Sequence, residues 1–323
     1  MNFRGKNILV TGAAGFIGSN LTWELLKLGA NVTGIDNLFN GRIENLEEIL
    51  ENKSFKFIKG DIRDFNFLLE LFKDIDIIYH EAAFTSVPQS IMMPESCNDV
   101  NVNGTLNVLN AARKKDVEKI ICASSSSVYG DTPSLPKKED MPRIPISPYG
   151  VSKLTCEAYM QVFHHIYGMK TVSLRYFNVF GPNQKDSPYS GVIAIWLGRI
   201  IDNKDLIIFG NGEQSRDFTY VKDVVQANLL AAEYDIPGEI INIGAGSPIT
   251  LTNLAHLILK LTNKEQLKII YSDPRPGDIL HSFADISKSE QLLRFHPKYT
   301  QEKGLREYFN WYRNKYNINL EIN

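Results

Sequence analysis

Residues 7–19 read NILVTGAAGFIGS, and this stretch decides the fold. The apolar run NILV is followed by a glycine-rich turn and then by a helical pattern, which is the context of a dinucleotide-binding loop. Gly12, Gly15 and Gly18 permit a tight turn and bring backbone N–H groups toward a pyrophosphate at the positive end of the helix. An ordinary strand-to-helix turn is the alternative interpretation of the same residues.

The pattern that begins here continues along the first half of the chain, where short apolar runs alternate with helical segments. The runs are NILV, NVTGID, FKFIKG, DIDIIYH, EKIICASS and KTVSLRYF. Helices are expected over 16–28, after the second run, after the third run, near 97–115 and near 148–167. This alternation predicts an α/β fold with a doubly wound parallel sheet of the Rossmann type.

Beyond about Asn178 the composition changes to loops rich in Gly, Pro and Asn, among them FGPNQKDSPYSG and FGNGEQSRDF. Loops of this kind commonly carry binding groups. We therefore predict a dinucleotide-binding domain over residues 1–178, with later segments crossing back to it. A smaller α/β substrate domain is expected over residues 179–323.

Composition narrows the function further. The 323 residues are 43% apolar and carry a formal net charge of -2, without a Lys/Arg run, which argues against nucleic acid as a partner. No apolar stretch has the length of a membrane span, and the opening residues lack a secretory pattern. Three scattered cysteines (Cys97, Cys122, Cys156) and unpaired histidines predict a cytoplasmic protein without a metal.

Three charged residues bear on the choice of cofactor. Asp36 ends the second run about 18 residues after Gly18, where a carboxylate can hold ribose hydroxyls and repel a 2′-phosphate. NAD is therefore predicted rather than NADP, although Arg42 lies near enough to weaken that inference. Asp61, after the third run, is expected either to bond the adenine amino group or to cap a helix.

A second group of residues carries the candidate chemistry. Tyr149 and Lys153 lie in SPYGVSK at the start of a predicted helix, so their spacing places both side chains on one face. A nearby ammonium favours the phenolate, which makes Tyr149 a candidate base. The serine-rich segment ASSSSVYG (123–130) precedes them, and its hydroxyls should face the cofactor at the edge of the sheet. Backbone capping is the alternative for those serines.

Taken in order, GAAGFIG, HEAA, SSSSVYG, PYGVSK and LRYFNVFGP resemble the extended short-chain dehydrogenase/reductase family over nearly the whole chain. Within it the chain is most similar to UDP-glucose and UDP-N-acetylglucosamine 4-epimerases, which GEQSRDFTYVKD and RPGDILHS also resemble. The resemblance implies Ser125, Tyr149 and Lys153 as catalytic residues. It implies an NAD site that includes Gly12, Gly15, Phe16, Ile17, Gly18, Asp36, Asn37, Asn40, Asp61, Ile62, Ala82, Ala83, Asn101, Tyr149, Lys153 and Phe177.

The resemblance also implies a UDP-sugar site. Its expected members are Thr85, Ser86, Ser125, Ser126, Tyr149, Asn178, Gln184, Gly191, Val192, Arg216, Arg275 and Ser282. Arg216 and Arg275 are the candidate anchors of the diphosphate, since guanidinium groups match phosphate oxygens. Ser282 is small and leaves room for an N-acetyl group, whereas Thr85 departs from the glycine of N-acetyl-specific relatives. Tolerance of both hexoses is expected.

The residues beside Ser125 distinguish the reactions of this family. The 4,6-dehydratases carry Asp and Glu at positions 126 and 127 and the decarboxylases carry Glu at the second, but here both are serine. UDP-glucuronate 4-epimerases share SSSSVYG, although they usually have Thr at the position of Asn178. A UDP-hexose 4-epimerase is thus expected, and family resemblance implies a homodimer through helices near 98–114 and 148–167. The alternatives are a UDP-glucuronate 4-epimerase, a net NAD-dependent nucleotide-sugar dehydrogenase or reductase, and a non-catalytic NAD-binding protein.

Overall fold

The computed structural model describes residues 3–184, 191–274 and 279–323. The strands are β1 (Asn7–Thr11), β2 (Asn31–Asp36), β3 (Phe55–Lys59), β4 (Ile77–His80), β5 (Lys119–Ser125), β6 (Lys170–Tyr176), β7 (Val179–Phe180), β8 (Leu206–Phe209), β9 (Ser215–Arg216), β10 (Thr219–Tyr220), β11 (Ile240–Ile243), β12 (Ile249–Thr250), β13 (Ile269–Ser272) and β14 (His281–Ser282). Seven of these strands form one parallel sheet in the order β11-β6-β5-β4-β1-β2-β3.

Some helices flank this sheet, and others lie with the short strands in the second part of the chain. They are α1 (Phe16–Lys27), α2 (Phe65–Leu71), α3 (Val87–Met92), α4 (Pro94–Asn98), α5 (Gly104–Lys114), α6 (Pro148–Tyr167), α7 (Val192–Ile201), α8 (Val221–Glu233), α9 (Leu251–Leu261), α10 (Ser287–Leu293) and α11 (Gln301–Tyr316). The parallel sheet with helices on both faces confirms the predicted doubly wound fold.

Each face of the sheet has its own apolar core, because alternate residues of a strand point to opposite sides. Ile8 and Val10 pack with α1 and α8 on one face. Leu9 and Ile78 pack with α2, α5 and α6 on the other. Strands buried on both faces read as continuous apolar runs, which is the pattern of NILV in the sequence.

A separate core lies in the second part of the chain. It joins α7, α9 and α11 to short strands around buried side chains such as Trp196, Ile258 and Phe309. The strands pair in three small groups, β10 with β7, β12-β9-β14, and β13 with β8. Strand β11 and helix α8 also follow Asn178 in the chain, but they belong to the large sheet and its cover.

Local signals explain the limits of α6, the helix that carries Tyr149 and Lys153. The Ser147 side chain accepts a hydrogen bond from the Gly150 backbone nitrogen, and Pro148 occupies the first turn. Both features favour the start of a helix. Gly168 ends it in the left-handed conformation with φ of 67°. The twenty-residue helix therefore begins immediately before the candidate base.

Two segments differ from the sequence prediction. The short helix expected after β2 is a pair of 3₁₀ turns over Ile43–Asn45 and Glu47–Ile49, tied back to the glycine-rich loop by hydrogen bonds to the Ala14 carbonyl. The helix expected near 97–115 is built from α4 and α5 joined by a π-helical turn over Asp99–Asn103.

None of the helices in residues 3–184, 191–274 and 279–323 has the length and apolar character of a membrane span.

Candidate active site

A cleft of about 1350 Å³ runs along the carboxyl edge of the large sheet. Sites for one small ligand usually measure about 300–1000 Å³, so this cleft has room for a cofactor and a second ligand. Its walls include the glycine-rich loop and residues at the ends of β2, β4, β5 and β6, together with Arg216 and Ser282 from the second part of the chain. Doubly wound sheets bind their ligands at this edge.

The glycine-rich loop closes the cleft on the side of β1. Gly12 has φ of 70°, and a Cβ there would lie 2.7 Å from the Ala82 backbone nitrogen. A Cβ at Gly18 would overlap the Gly12 carbonyl. Helix α1 begins after Gly15 without a side-chain cap, so the positive helix end can accept an anion. The loop therefore fits the pyrophosphate of a dinucleotide.

Asp36 lies at the end of β2 and is 8% exposed. Its carboxylate accepts hydrogen bonds from the backbone nitrogens of Ala14 at 3.1 Å and Leu38 at 2.7 Å. Burial raises the pKa of Asp36, although these backbone donors lower it. The carboxylate lines the cleft beside Gly41, and its bond to the ribose stays a prediction.

The structure rejects one of the two interpretations of Asp61. The residue that caps α2 is Asp64, whose side chain accepts from the Phe67 nitrogen at 3.0 Å. The Asp61 carboxylate accepts from Arg63 at 2.8 and 3.0 Å and from Asn37 at 2.9 Å. The hydrogen bond with Arg63 holds the pKa of Asp61 far below its usual range. Helix capping by Asp61 is therefore wrong, and a bond to adenine stays a prediction.

Ser125, Tyr149 and Lys153 all line the cleft where β5 ends against the start of α6. Lys153 is 5% exposed, and its Nζ donates to the Ala123 carbonyl at 2.7 Å and lies 6.0 Å from the centre of the Tyr149 ring. Burial opposes the charge of Lys153, but attraction to neighbouring acidic groups such as Tyr149 and Glu81 outweighs it, so the pKa of Lys153 is raised. The ammonium stays charged beside the phenol.

The Ser125 hydroxyl has a defined orientation. Ser127 donates both its backbone N–H, at 3.2 Å, and its hydroxyl, at 3.0 Å, to Ser125 Oγ. These two bonds occupy the acceptor positions of the hydroxyl, which leaves its own proton to be donated into the cleft. The sequence analysis did not assign this function to Ser127, although its position two residues after Ser125 in a serine-rich turn was a usable signal.

A buried ion pair fixes the end of β5 behind these serines. Arg175 donates to both carboxylate oxygens of Glu157 at 2.8 Å, and Ser124 donates to the same carboxylate at 2.5 Å. Arg175 also donates to the Tyr129 hydroxyl at 2.7 Å. Paired guanidinium and carboxylate groups of this geometry are rigid. The turn that carries Ser125 is therefore held by side chains from α6 and β6.

Glu81 and Tyr176 are cleft residues that the sequence analysis did not single out. Tyr176 Oη donates to Glu81 Oε1 at 2.8 Å. Burial raises the pKa of Glu81 to about 7, against the hydrogen bond from Tyr176 and the charge of Lys153, which lower it. These residues belong to the motifs HEAA and LRYF, at the carboxyl ends of β4 and β6. Their position at the ends of predicted strands was the sequence signal that could have identified them.

Most of the remaining predicted residues also line the cleft. On the cofactor side these are Phe16, Ile17, Asn37, Asn40, Ile62, Ala82 and Ala83. On the substrate side they are Thr85, Ser86, Ser126, Asn178, Gln184, Gly191, Arg216 and Ser282. Arg275 lies outside the described residues. The structure thus brings members of both predicted sets to one cleft.

Besides Asp61, three other predicted residues do not line the cleft. Asn101 is buried, accepts from the Phe84 nitrogen at 2.7 Å and donates to Ser152 Oγ at 2.8 Å, so it supports the cleft wall from behind. Phe177 is fully buried near Tyr129. Val192 begins α7 and packs on the second core. We therefore revise direct ligand contact to a supporting position for these side chains.

The doubly wound sheet, the glycine-rich loop and the Ser–Tyr–Lys group define a dinucleotide-dependent enzyme of the short-chain dehydrogenase type. The chain belongs to the NAD dependent epimerase/dehydratase family, whose model matches residues 8–244. NAD is accordingly its cofactor, and the glycine-rich loop with Asp36 fits that group. In the described residues, no cluster of three or more His, Cys, Asp or Glu could hold a metal ion.

Similar proteins span the whole chain. A putative UDP-glucose 4-epimerase of Methanocaldococcus jannaschii is 38% identical, over 95% of this chain and 98% of its own. The UDP-N-acetylglucosamine 4-epimerase of Methanobrevibacter ruminantium, solved with UDP-N-acetylmuramic acid, has a TM-score of 0.93 at 40% identity, covering 97% of this chain and 99% of that chain. A UDP-glucuronic acid 4-epimerase of Bacillus cereus, solved with UDP-glucuronic acid and NAD, has a TM-score of 0.89 at 35% identity, covering 96% and 100%.

Proposed function

We propose that this protein is a UDP-hexose 4-epimerase that interconverts UDP-glucose with UDP-galactose and UDP-N-acetylglucosamine with UDP-N-acetylgalactosamine through a 4-keto intermediate. The observation that carries the proposal is the placement of Ser125, Tyr149 and Lys153 together in a cleft large enough for NAD and a nucleotide sugar. A non-catalytic NAD-binding protein would have no need of this group.

The residues divide the proton chemistry between them. Tyr149 takes the proton of the C4 hydroxyl as the general base, and the ammonium of Lys153 lies beside its ring. Ser125 donates its free hydroxyl proton to the sugar oxygen, since Ser127 occupies its acceptor positions. Bound NAD supplies the acceptor for the hydride of C4 and the donor that returns it to the opposite face. No net oxidation results.

The serines at positions 126 and 127 support epimerisation over elimination or decarboxylation. Both line the cleft beside Ser125. Elimination of water from C5 and C6 needs an acid and a base next to the sugar, and hydroxyl groups titrate far too high for that task. The dehydratase and decarboxylase reactions of the family therefore lack the side chains that they use at these two positions.

The charges of the cleft support a neutral hexose rather than a uronate. Among the described residues that line the cleft, four have cationic side chains. Arg42 and Arg63 belong to the part predicted for the cofactor, and the other two are Lys153 and Arg216. The predicted sugar wall is otherwise built from hydroxyl and amide groups, such as Thr85, Ser126, Asn178, Gln184 and Ser282. Hydroxyl and amide groups suit the hydroxyls and N-acetyl group of a neutral sugar. The alternative hypothesis is a UDP-glucuronate 4-epimerase, whose substrate is a uronate.

Arg216 is the proposed anchor of the UDP diphosphate, together with Arg275. Its Nη1 donates to the carbonyls of Ser215 at 2.9 Å and Leu280 at 3.0 Å, which orient the guanidinium at the cleft. Ser282 pairs with Arg216 in the register of β14 and β9. A small side chain beside the anchor leaves volume for an N-acetyl group at C2, so we propose that both hexoses are accepted.

We further propose a homodimer formed through the helices near 98–114 and 148–167. Helix α6 presents exposed apolar side chains at Val151, Val162, Ile166 and Tyr167. An amphipathic helix of a monomer would direct polar groups to solvent at such positions. A cytoplasmic location is proposed as well, and the three free, buried cysteines are consistent with it.

The first experiment incubates the purified protein, without added cofactor, with UDP-glucose, UDP-N-acetylglucosamine or UDP-glucuronate. Proton NMR follows the configuration at C4, and absorbance follows NADH. Galacto epimers of the two hexoses without net NADH would support the proposal, and their relative rates would identify the preferred sugar. Epimerisation of UDP-glucuronate alone, or stoichiometric NADH, would overturn it. Inactivity toward both hexoses after addition of NAD would also overturn it.

A further inference from the structure

Glu81 is a carboxyl group beside the reacting centre, and proton transfer from the sugar does not require it. It directly follows β4, which lies between β1 and β5 in the sheet. The glycine-rich loop follows β1, and Ser125 ends β5. A dinucleotide that reaches from that loop to Tyr149 must pass over the end of β4. Glu81 lines this cleft, and we expect it to lie under the part that the reactive ring of the cofactor occupies.

The backbone of Glu81 is fixed against the loop. Its nitrogen donates to the Thr11 carbonyl at 3.2 Å, and a Cβ on Gly12 would lie 3.0 Å from its carbonyl carbon. On the other side, the Tyr176 hydroxyl reaches from β6 across β5 to Glu81 Oε1 at 2.8 Å. Glu81 is thus held by hydrogen bonds at its backbone and at its carboxyl group, which fix the position of the carboxyl group.

The hydrogen bonds around Tyr176 suit both protonation states of Glu81. When Glu81 is ionised, Tyr176 donates to it, and the Tyr176 oxygen accepts from Asn228 Nδ2 at 2.8 Å. When Glu81 is protonated, it can donate to the Tyr176 oxygen while the Tyr176 proton turns to Asn228 Oδ1 at 3.1 Å. A half-buried group such as Glu81, when it is satisfied in both states, can titrate without leaving an unpaired polar atom.

We propose that Glu81 sets the balance between oxidised and reduced bound NAD, with its ionised carboxylate favouring the oxidised, positively charged nicotinamide. A negative charge several ångströms away stabilises the cation and has no such interaction with the neutral reduced ring. Protonation of Glu81 removes this preference. The residue therefore acts on the redox equilibrium of the cofactor, and it is a positioning and electrostatic residue rather than a proton carrier for the sugar.

Neutral pH is where this control operates. Burial raises the pKa of Glu81 to about 7. The titratable groups that face it are Tyr79 on β4, Cys122 on β5, Lys153 on α6 and Tyr176 on β6. Burial raises the pKa of both Tyr79 and Cys122, so these two stay neutral near pH 7. Lys153 stays charged, so the group among these five whose charge changes near this pH is Glu81.

The test measures the dissociation constants of NAD and of NADH by calorimetry on full-length protein freed of cofactor, across the neutral pH range. In the wild type, the ratio of the NADH constant to the NAD constant is expected to rise with pH as Glu81 ionises. Glu81→Gln keeps an oxygen that accepts from Tyr176 but cannot carry the charge. At alkaline pH its ratio should be on the order of tenfold lower than that of the wild type, and the two should converge at acid pH.

Tyr176→Phe provides a second variant that keeps the charge. Loss of the hydrogen bond that lowers the pKa of Glu81 should move the midpoint of the ratio to higher pH. Glu81→Asp should keep the rise with pH. An identical ratio in the wild type and Glu81→Gln at every pH, or an equal loss of both affinities, would overturn the proposal. The measurement contains no nucleotide sugar, so its outcome is independent of which substrate the enzyme epimerises.

Discussion

Lys153 shows how one side chain can be both buried and charged. It gives one hydrogen bond to the Ala123 carbonyl, and its charge faces the Tyr149 ring and the acidic groups of the sheet edge. An ammonium in this setting places a positive charge beside the phenol ring. Tyr149, rather than Lys153, is therefore the proposed group that exchanges the proton with the sugar.

Tyr149→Phe is expected to lower kcat by roughly 10²–10⁴-fold, since it removes the general base and leaves the shape of the site intact. The thermal midpoint should change little. Tyr159→Phe on the same helix is the matched control, because Tyr159 does not line the cleft. NMR assay of C4 epimerisation measures both variants. A Tyr149→Phe enzyme that kept roughly a tenth or more of the wild-type kcat would contradict the assignment.

Ser127 offers a finer test at the residue scale. Ser127→Ala removes the hydroxyl that donates to Ser125 Oγ at 3.0 Å and keeps the backbone donor at 3.2 Å. We expect a loss of a few-fold in kcat, because one weak orienting bond is lost, whereas Ser125→Ala should lose roughly 10²-fold or more. Equal losses in both variants would show that the serine turn acts as a unit, and the orientation argument would then be wrong.

At the scale of the helix, the cap of α6 links stability to activity. Tyr149 lies in the first turn, immediately after the cap formed by Ser147. Helix α11 has a comparable cap, in which Thr300 accepts from the Lys303 nitrogen at 3.2 Å, but no catalytic residue follows it. The two caps therefore form a matched pair that separates local stability from catalysis.

Ser147→Ala and Thr300→Ala should each lower the free energy of unfolding by about 1 kcal/mol, the usual contribution of a side-chain cap. Only Ser147→Ala should also reduce kcat, by a few-fold, because fraying of the first turn moves Tyr149. Denaturant unfolding and the NMR assay provide the two measurements. If Thr300→Ala lost as much activity as Ser147→Ala, the loss would reflect global destabilisation.

The secondary structure that the sequence predicted best is that with strong local signals. Pro148 and the glycine after Tyr167 marked both ends of α6, and the apolar runs marked β1 to β6. The contact between Glu81 and Tyr176 spans 95 residues of sequence, and no local pattern encodes such a distance. The buried pair of Arg175 with Glu157 escaped prediction for the same reason. Charged residues in a strand and a helix gave no sign of their partner.

At the scale of the whole molecule, the apolar face of α6 is the feature most open to test. Ile166 is 63% exposed and Val162 44% exposed, one turn apart on this helix. Burying such side chains in a dimer contributes about 25 cal/mol per Å² of apolar area. A charge at the centre of that surface would oppose association strongly.

Ile166→Glu is therefore expected to convert a dimer to a monomer in sedimentation equilibrium at micromolar concentration. Leu50→Glu is the control, since Leu50 is 40% exposed and follows the 3₁₀ turn Glu47–Ile49, outside the two helices of the proposed interface. It should leave the mass unchanged. A monomeric wild type, or an Ile166→Glu variant that remains dimeric, would place the interface elsewhere or remove it.

The order of the strands in the large sheet has a consequence for folding during synthesis of the chain on the ribosome. Helix α8 and strand β11 lie after residue 220, yet they cover one face of the sheet and pair with β6. Until they have been synthesised, the nascent chain carries the complete glycine-rich loop and all the proposed catalytic residues beside an uncovered apolar face. Emerging chains of this length are the ones that chaperones must shield. The proposed catalytic residues are therefore all made before the sheet that positions them is complete.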